Sequence, residues 1–155
     1  MTFVDKIRED TKQALREKNE ARVSVLRMLS SAMHNRALEK RAKSGKEETL
    51  SQEEAIAVLR SEVKKRRDAI AEFGKGGRQD LVEKETAELK ILETYMPQEL
   101  PDEEIEKIVK EVIAGMGGAA PKDFGKVMGE TMRRMRGSAS GNRVGDMVRK
   151  LLGVA

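Results

Sequence analysis

The sequence predicts an all-α chain, an antiparallel four-helix domain over residues 1–96 followed by a small three-helix domain over residues 97–155. Three observations predict it. Apolar residues recur at three- and four-residue steps, the period of a helix with one buried face, and no stretch alternates as a strand does. Only three Phe, one Tyr and no Trp stand among 155 residues, which is thin for a β-rich core. Glycine and proline also divide unevenly: residues 1–96 hold four Gly and no Pro, residues 97–155 nine Gly and all three Pro. The break falls at Tyr95-Met96-Pro97-Gln98-Glu99-Leu100-Pro101. Each Pro there removes a donor and biases the preceding residue away from the helical region, so the segment reads as a stiff linker.

Helix 1 is expected from about Phe3 to Lys18, with Val4, Ile7, Ala14 and Leu15 inward. The Lys18-Asn19-Glu20 break leads to helix 2, about Ala21 to Ala42, whose stripe is Val25, Leu26, Met28, Leu29, Ala32 and Met33. After a polar loop, Ser51 and Glu54 have the spacing of a capping box, in which each satisfies a free amide of the other. Helix 3 follows to Phe73 with Ile56, Leu59, Val63, Ile70 and Phe73 at helical steps, until Gly74-Lys75-Gly76-Gly77 stops it. Helix 4, about Gln79 to Tyr95, carries Leu81, Val82, Leu89, Leu92 and Met96. Short connections between four helices imply an antiparallel bundle. Beyond the linker, Asp102 is the expected cap of a helix running to Gly115, with Glu103 and Glu104 where the helix dipole favours acids. Helix 6 spans about Lys122 to Arg136, and helix 7 holds Val144, Met147, Val148, Leu151 and Leu152.

Zero cysteines remove disulfides, thiolate metal sites and cysteine nucleophiles, and one histidine leaves no ordinary histidine cluster. His34 lies with Val23, Arg27, Ser30 and Ser31 on one side of helix 2 and has no second His or acid at helical spacing, so no catalytic role is expected of it. The glycine turn at residues 74–77 joins two helices, whereas a P-loop follows a strand, so no phosphate-cradling loop is identified. No catalytic residue, metal ligand or cofactor is assigned. The N-terminus carries charges every few residues, and no apolar run approaches the roughly 20 residues of a membrane span. A cytoplasmic protein without membrane partners is expected.

Two charged constellations stand out. In the heptads of helices 3 and 4 the vacant seam positions are Arg66 and Glu85, which face each other if the hairpin turns about Lys75 and Gly76. Such a pair either sets the register of the bundle or lines a polar binding site. Helix 6 presents Lys122, Lys126, Gly129, Arg133 and Arg136 at steps of 4, 3, 4 and 3, four cations on one stripe with a small residue midway. Residues 121–155 hold eight Lys/Arg against three Asp/Glu, while residues 97–120 hold two against six, so the segment is polarised. The stripe fits a phosphate backbone, and a solvated face is the plainer reading. Gly125 and Gly129, four apart, suit close approach of another helix or of a nucleic-acid backbone.

The run Ala14-Leu15-Arg16-Glu17-Lys18-Asn19-Glu20-Ala21-Arg22-Val23-Ser24-Val25-Leu26-Arg27-Met28-Leu29 resembles the GatB/YqeY family. So do the hairpin Gly77-Arg78-Gln79-Asp80-Leu81, the segment Leu92 to Leu100, and Gly125-Lys126-Val127-Met128-Gly129 with Gly137 and the terminal helix. The likeness spans nearly the whole chain in order and is to the free-standing, YqeY-like form. It implies a helical N-terminal domain and a three-helix C-terminal domain. In the amidotransferase B subunit a similar pair forms the tail that contacts transfer RNA during glutamine-dependent amidation. The catalytic cradle domain of that subunit has no counterpart here, so a carbon–nitrogen ligase label would be inherited from the larger relative. Lys126 and Gly129 carry the tRNA-facing suggestion within the matched motif. Lys122, Arg133, Arg134, Arg136, Arg143 and Lys150 join them by charge and position alone. The expectation is a tRNA-binding accessory protein. The alternative is a module docking on an amidotransferase or aminoacyl-tRNA synthetase through apolar grooves and Met128, Met132 and Met135.

Overall fold

The computed structural model describes residues 1–154. Among them lie seven α-helices and no strand: α1 (Phe3–Arg16), α2 (Glu20–Ser44), α3 (Gln52–Lys75), α4 (Gln79–Glu93), α5 (Asp102–Gly115), α6 (Phe124–Met135) and α7 (Gly141–Leu152). Packing groups them into two compact units that divide between Met96 and Pro97.

In the first unit the starts of α1, α2 and α3 are capped by polar side chains, and that of α4 is not. Thr2 accepts from the Asp5 amide while Asp5 accepts from the Thr2 amide, each at 3.1 Å. The capping box expected at Ser51 and Glu54 forms, with bonds of 3.1 and 2.8 Å. Lys18 closes the α1–α2 turn at φ +55°, in the left-handed region, and Asn19 then caps α2 by accepting from the Arg22 amide. α2 packs on α1, α3 and α4, and α3 packs on α4. From α2, Leu26, Leu29 and Met33 join Ile7, Leu59, Val63 and Leu92 in an apolar core. Two large side chains expected inward are exposed instead, Leu15 at 48% and Met28 at 49%.

The expected Arg66–Glu85 pair does not form. Arg66 is buried between Glu62 of its own helix, 3.3 Å from Nη1, and Glu88 of α4, 3.5 Å from Nε, and its Nη2 donates to the Met28 sulfur at 3.6 Å. α3 runs two residues past Phe73, so the hairpin centres on Gly77, whose φ of +70° makes the reversal. Arg66 and Glu88 stand eleven residues to either side of that centre. Glu85 belongs to a register three residues too short.

The second unit packs α5, α6 and α7 pairwise around Ile105, Val109, Val127, Met135, Val144 and Val148. Pro101, not Asp102, occupies the cap position of α5. Asp102 is the first helical residue, and its carboxylate accepts from Arg143 Nη2 at 2.7 Å. Helix 6 starts later than expected. Pro121 has no N–H, and Asp123 Oδ2 accepts the Ala120 amide at 2.8 Å, so Pro121–Asp123 tighten into a single 3-10 turn before α6.

Candidate nucleic-acid interface

α6 is amphipathic by placement of its residues. Val127, Thr131 and Met135 are buried, Phe124, Met128 and Met132 are half-buried against the same core, and Gly125, Lys126, Gly129, Arg133 and Arg134 are exposed. Lys122 precedes the helix on the 3-10 turn and is also exposed, so its four-residue step to Lys126 is not a helical one. Arg136 ends α6 with its N–H on the Met132 carbonyl and φ at +48°, a backbone region that L side chains rarely adopt.

The cations differ in how far they are committed. Arg133 and Arg134 share Glu130, at 2.8 and 3.6 Å, on the same helix. Such exposed pairs contribute little and release their cation readily to a stronger anion. Lys122, Lys126 and Arg136 have no ion pair among the described residues. Arg143 is committed elsewhere. Its guanidinium donates to Asp102 and Glu99 at 2.7 Å each and to the Leu100 carbonyl at 2.8 Å, fastening the start of α7 to the chain before α5. Those bonds, Asp102 first and Glu99 second, raise its already high pKa. Lys150 is exposed on α7, and the neighbouring Arg149 lies 5.2 Å from the Phe124 ring centre.

The glycine pair does not serve close packing of another helix of the described residues. A Cβ at Gly125 or at Gly129 would meet nothing within 4 Å among the described residues. Close packing of α6 on α7 uses Gly145 instead, where a Cβ would stand 3.5 Å from Arg149 and 3.9 Å from Met128. Met128, Met132 and Met135 pack into the core of this unit, so the methionines of α6 are interior packing.

A second polar cluster, unannounced by sequence, lies in the first unit. The buried Tyr95 hydroxyl donates to Asp10 Oδ2 at 2.7 Å and accepts from Arg22 Nη2 at 3.1 Å, joining α1, α2 and the end of α4. Phe3 meets the ring edge-on at 6.4 Å and Lys6 stands 5.7 Å from its centre. Burial holds the Tyr95 pKa above its ordinary value, and the tyrosine bond in turn raises that of Arg22. Tyr95 follows the last helical residue of α4 by two positions, and helical spacing carries no information about partners 73 and 85 residues away.

Comparison with known proteins gives one consistent answer. Residues 4–152 match the family model described as Yqey-like protein. The chain is similar to a Kluyveromyces lactis protein named altered inheritance of mitochondria protein 41, mitochondrial, at 31% identity over 134 residues, 81% of this chain and 69% of that one. The protein of the same name from Pyrenophora tritici-repentis is 30% identical over 86% of this chain and 71% of its own length. That from Vanderwaltozyma polyspora is 28% identical over 83% and 70%. Their shared description as mitochondrial overturns the cytoplasmic expectation. No helix among the described residues is long and apolar enough to cross a membrane. Charge and hydropathy report on partition between water and bilayer, however, and a compartment is set by receptor-read signals that they do not measure. With the family model matching residues 4–152 and relatives aligned along most of the chain, this protein belongs to the YqeY-like family.

Proposed function

We propose that this protein is an RNA-binding accessory, for tRNA, whose second unit supplies cations to the phosphate backbone. The observation that carries the reading is the exposed face of α6 and its preceding turn. Lys122, Lys126 and Arg136 stand there without acid partners among the described residues, beside two glycines that leave the helix backbone uncovered. The resemblance to the tail of an amidotransferase B subunit supports the choice of tRNA. A surface with no aromatic ring on its exposed side reads charge and shape, so affinity should respond steeply to salt and little to sequence. We also propose that the two packing units are separate domains, 1–96 and 97–155, in the sense that each folds by itself. Chains 1–96 and 97–155 expressed alone should each give helical circular dichroism and a cooperative urea transition.

The test of the RNA reading is fluorescence anisotropy with bulk tRNA and a duplex DNA control, at low and at roughly physiological salt. Tighter binding to tRNA that persists at the higher salt is expected. Reversal of both Lys126 and Arg133 to Glu should lower the salt slope by roughly two, one per lost phosphate contact. Arg143→Gln, whose cation is held internally, should leave that slope unchanged. Equal weak binding to both polymers, unaltered by the double reversal, would overturn the reading.

A further inference from the structure

The first unit carries a surface feature that the RNA reading leaves unused. A pocket of about 480 Å³ opens at the elbow between α1 and α2, lined by Leu15, Lys18, Glu20, Val23, Arg27 and Met28. Five large apolar side chains among the described residues are exposed, and two of them, Leu15 and Met28, meet in this pocket. Solvent-facing apolar side chains are ordinary when scattered; gathered in one concavity with charged rims they mark a binding groove. Met28 is also held in place, because its sulfur accepts from the buried Arg66 at 3.6 Å. Lys18 is held likewise, in a left-handed turn at φ +55° whose cost the fold sustains.

The rim decides the occupant. Lys18 and Arg27 are exposed and have no ion pair among the described residues. The one carboxylate at the rim, Glu20, is the first residue of α2, where the positive end of the helix dipole already offsets it. The groove is therefore apolar at its floor and positive at its edge. From Glu20 to Met28 the α2 side extends eight residues, about 12 Å at the helical rise, or a little over two turns. An RNA strand would leave Leu15 and Met28 without apolar partners, and no ring in the groove offers a base a stacking surface. An amphipathic helix uses both features at once, with apolar anchors one and two turns apart and acids flanking them.

From this we infer that the α1–α2 elbow docks a short acidic amphipathic helix of a partner protein, its apolar residues entering between Leu15 and Met28 and its carboxylates meeting Lys18 and Arg27. This goes beyond the RNA reading and does not rest on it, since the two surfaces belong to different units.

The test pans a phage-displayed library of 16-residue peptides against the full-length chain. Enriched peptides should carry apolar residues at i, i+4 and i+7 with Asp or Glu beside them. The best of them, synthesised with a fluorophore, should shift the Met28 methyl resonance on binding. Leu15→Glu should weaken it at least tenfold, and Lys18→Glu with Arg27→Glu at least fivefold, with urea midpoints unchanged because all three side chains are exposed. Lys126→Glu with Arg133→Glu should have no effect. Enrichment of basic or patternless sequences, no enrichment at all, or binding indifferent to Leu15 and to the charge pair would overturn the inference. So would a dimer in sedimentation equilibrium that Leu15→Glu dissolves, or co-sedimentation with phosphatidylserine vesicles that Leu15→Glu abolishes, since either assigns the groove to another occupant.

Discussion

Arg66 and Lys126 are both helical cations, and the fold treats them in opposite ways. Arg66 has a side chain only 5% exposed, lies between Glu62 and Glu88, and has the Met28 thioether against Nη2. Lys126 stands in solvent with no acid partner among the described residues, next to a helix surface stripped of side chains at Gly125 and Gly129. The first cation answers a carboxylate that the α3–α4 hairpin brings to it, so its charge is spent on register. The second cation answers nothing in its own unit and leaves a field for something outside. Across the chain the same contrast holds: the first unit interleaves its charges, whereas the second keeps acids in residues 97–120 and cations in residues 121–155.

The comparison breaks most visibly at Arg66. Replacing it by Met removes the buried cation between two largely buried carboxylates, of which Glu62 keeps only the exposed Lys65, a loss of about 3–5 kcal/mol for a buried pair broken on one side. Urea denaturation of Arg66→Met measures it, and a midpoint equal to the parent's would show that the buried charge holds nothing. Replacing all three, with Glu62→Leu and Glu88→Leu added, should recover most of the loss, because no charge is then stranded.

Tyr95→Phe is the next largest effect and adds a pH dependence. Losing the hydroxyl leaves Asp10 and Arg22 without their shared partner, at about 1–2 kcal/mol near neutral pH. Burial raises the Tyr95 pKa above 10.0, the bond from Arg22 lowers it, and the bond to Asp10 raises it, with a net rise. A folded-state value above the unfolded one means that the native chain holds the proton more tightly. This part of the stability is complete below pH 10 and is lost as pH climbs through the folded value. The gap in urea midpoint between parent and Tyr95→Phe should therefore be constant from pH 7 to 9 and narrow above about 10.

What the sequence made legible follows from the range over which each signal acts. Caps act within four residues, and the Ser51–Glu54 box stands where spacing puts it. The register of the α3–α4 hairpin needs the turn's centre to one residue, and placing it at Lys75 and Gly76 assigned Glu85 where Glu88 pairs. Leu15 and Met28 fit the helical period and still face solvent, because period fixes a stripe's spacing and the neighbouring helices fix how wide a stripe is covered. The Asp10–Tyr95–Arg22 cluster depends on three segments meeting, which no local pattern encodes. For the candidate interface, the exposed cations of α6 were readable from their spacing, but the diversion of Arg143 to Glu99 and Asp102 was not.

The smallest effect sharpens the comparison most. Glycine in a helix interior is worse than alanine by roughly 0.5–1 kcal/mol, and at Gly129 nothing inside the unit recovers that cost, since a Cβ there meets no neighbour. Gly129→Ala should therefore raise the stability of the second unit by roughly that amount, read as a higher urea midpoint. If the bare helix surface exists to admit a phosphate backbone, the same methyl should weaken tRNA binding while leaving the salt slope intact, because no cation has been lost. Stability and affinity would then move in opposite directions from a single methyl group. A gain in stability with unchanged affinity would leave the exposed cations as the whole of the interface and make the glycine a feature of the free helix alone.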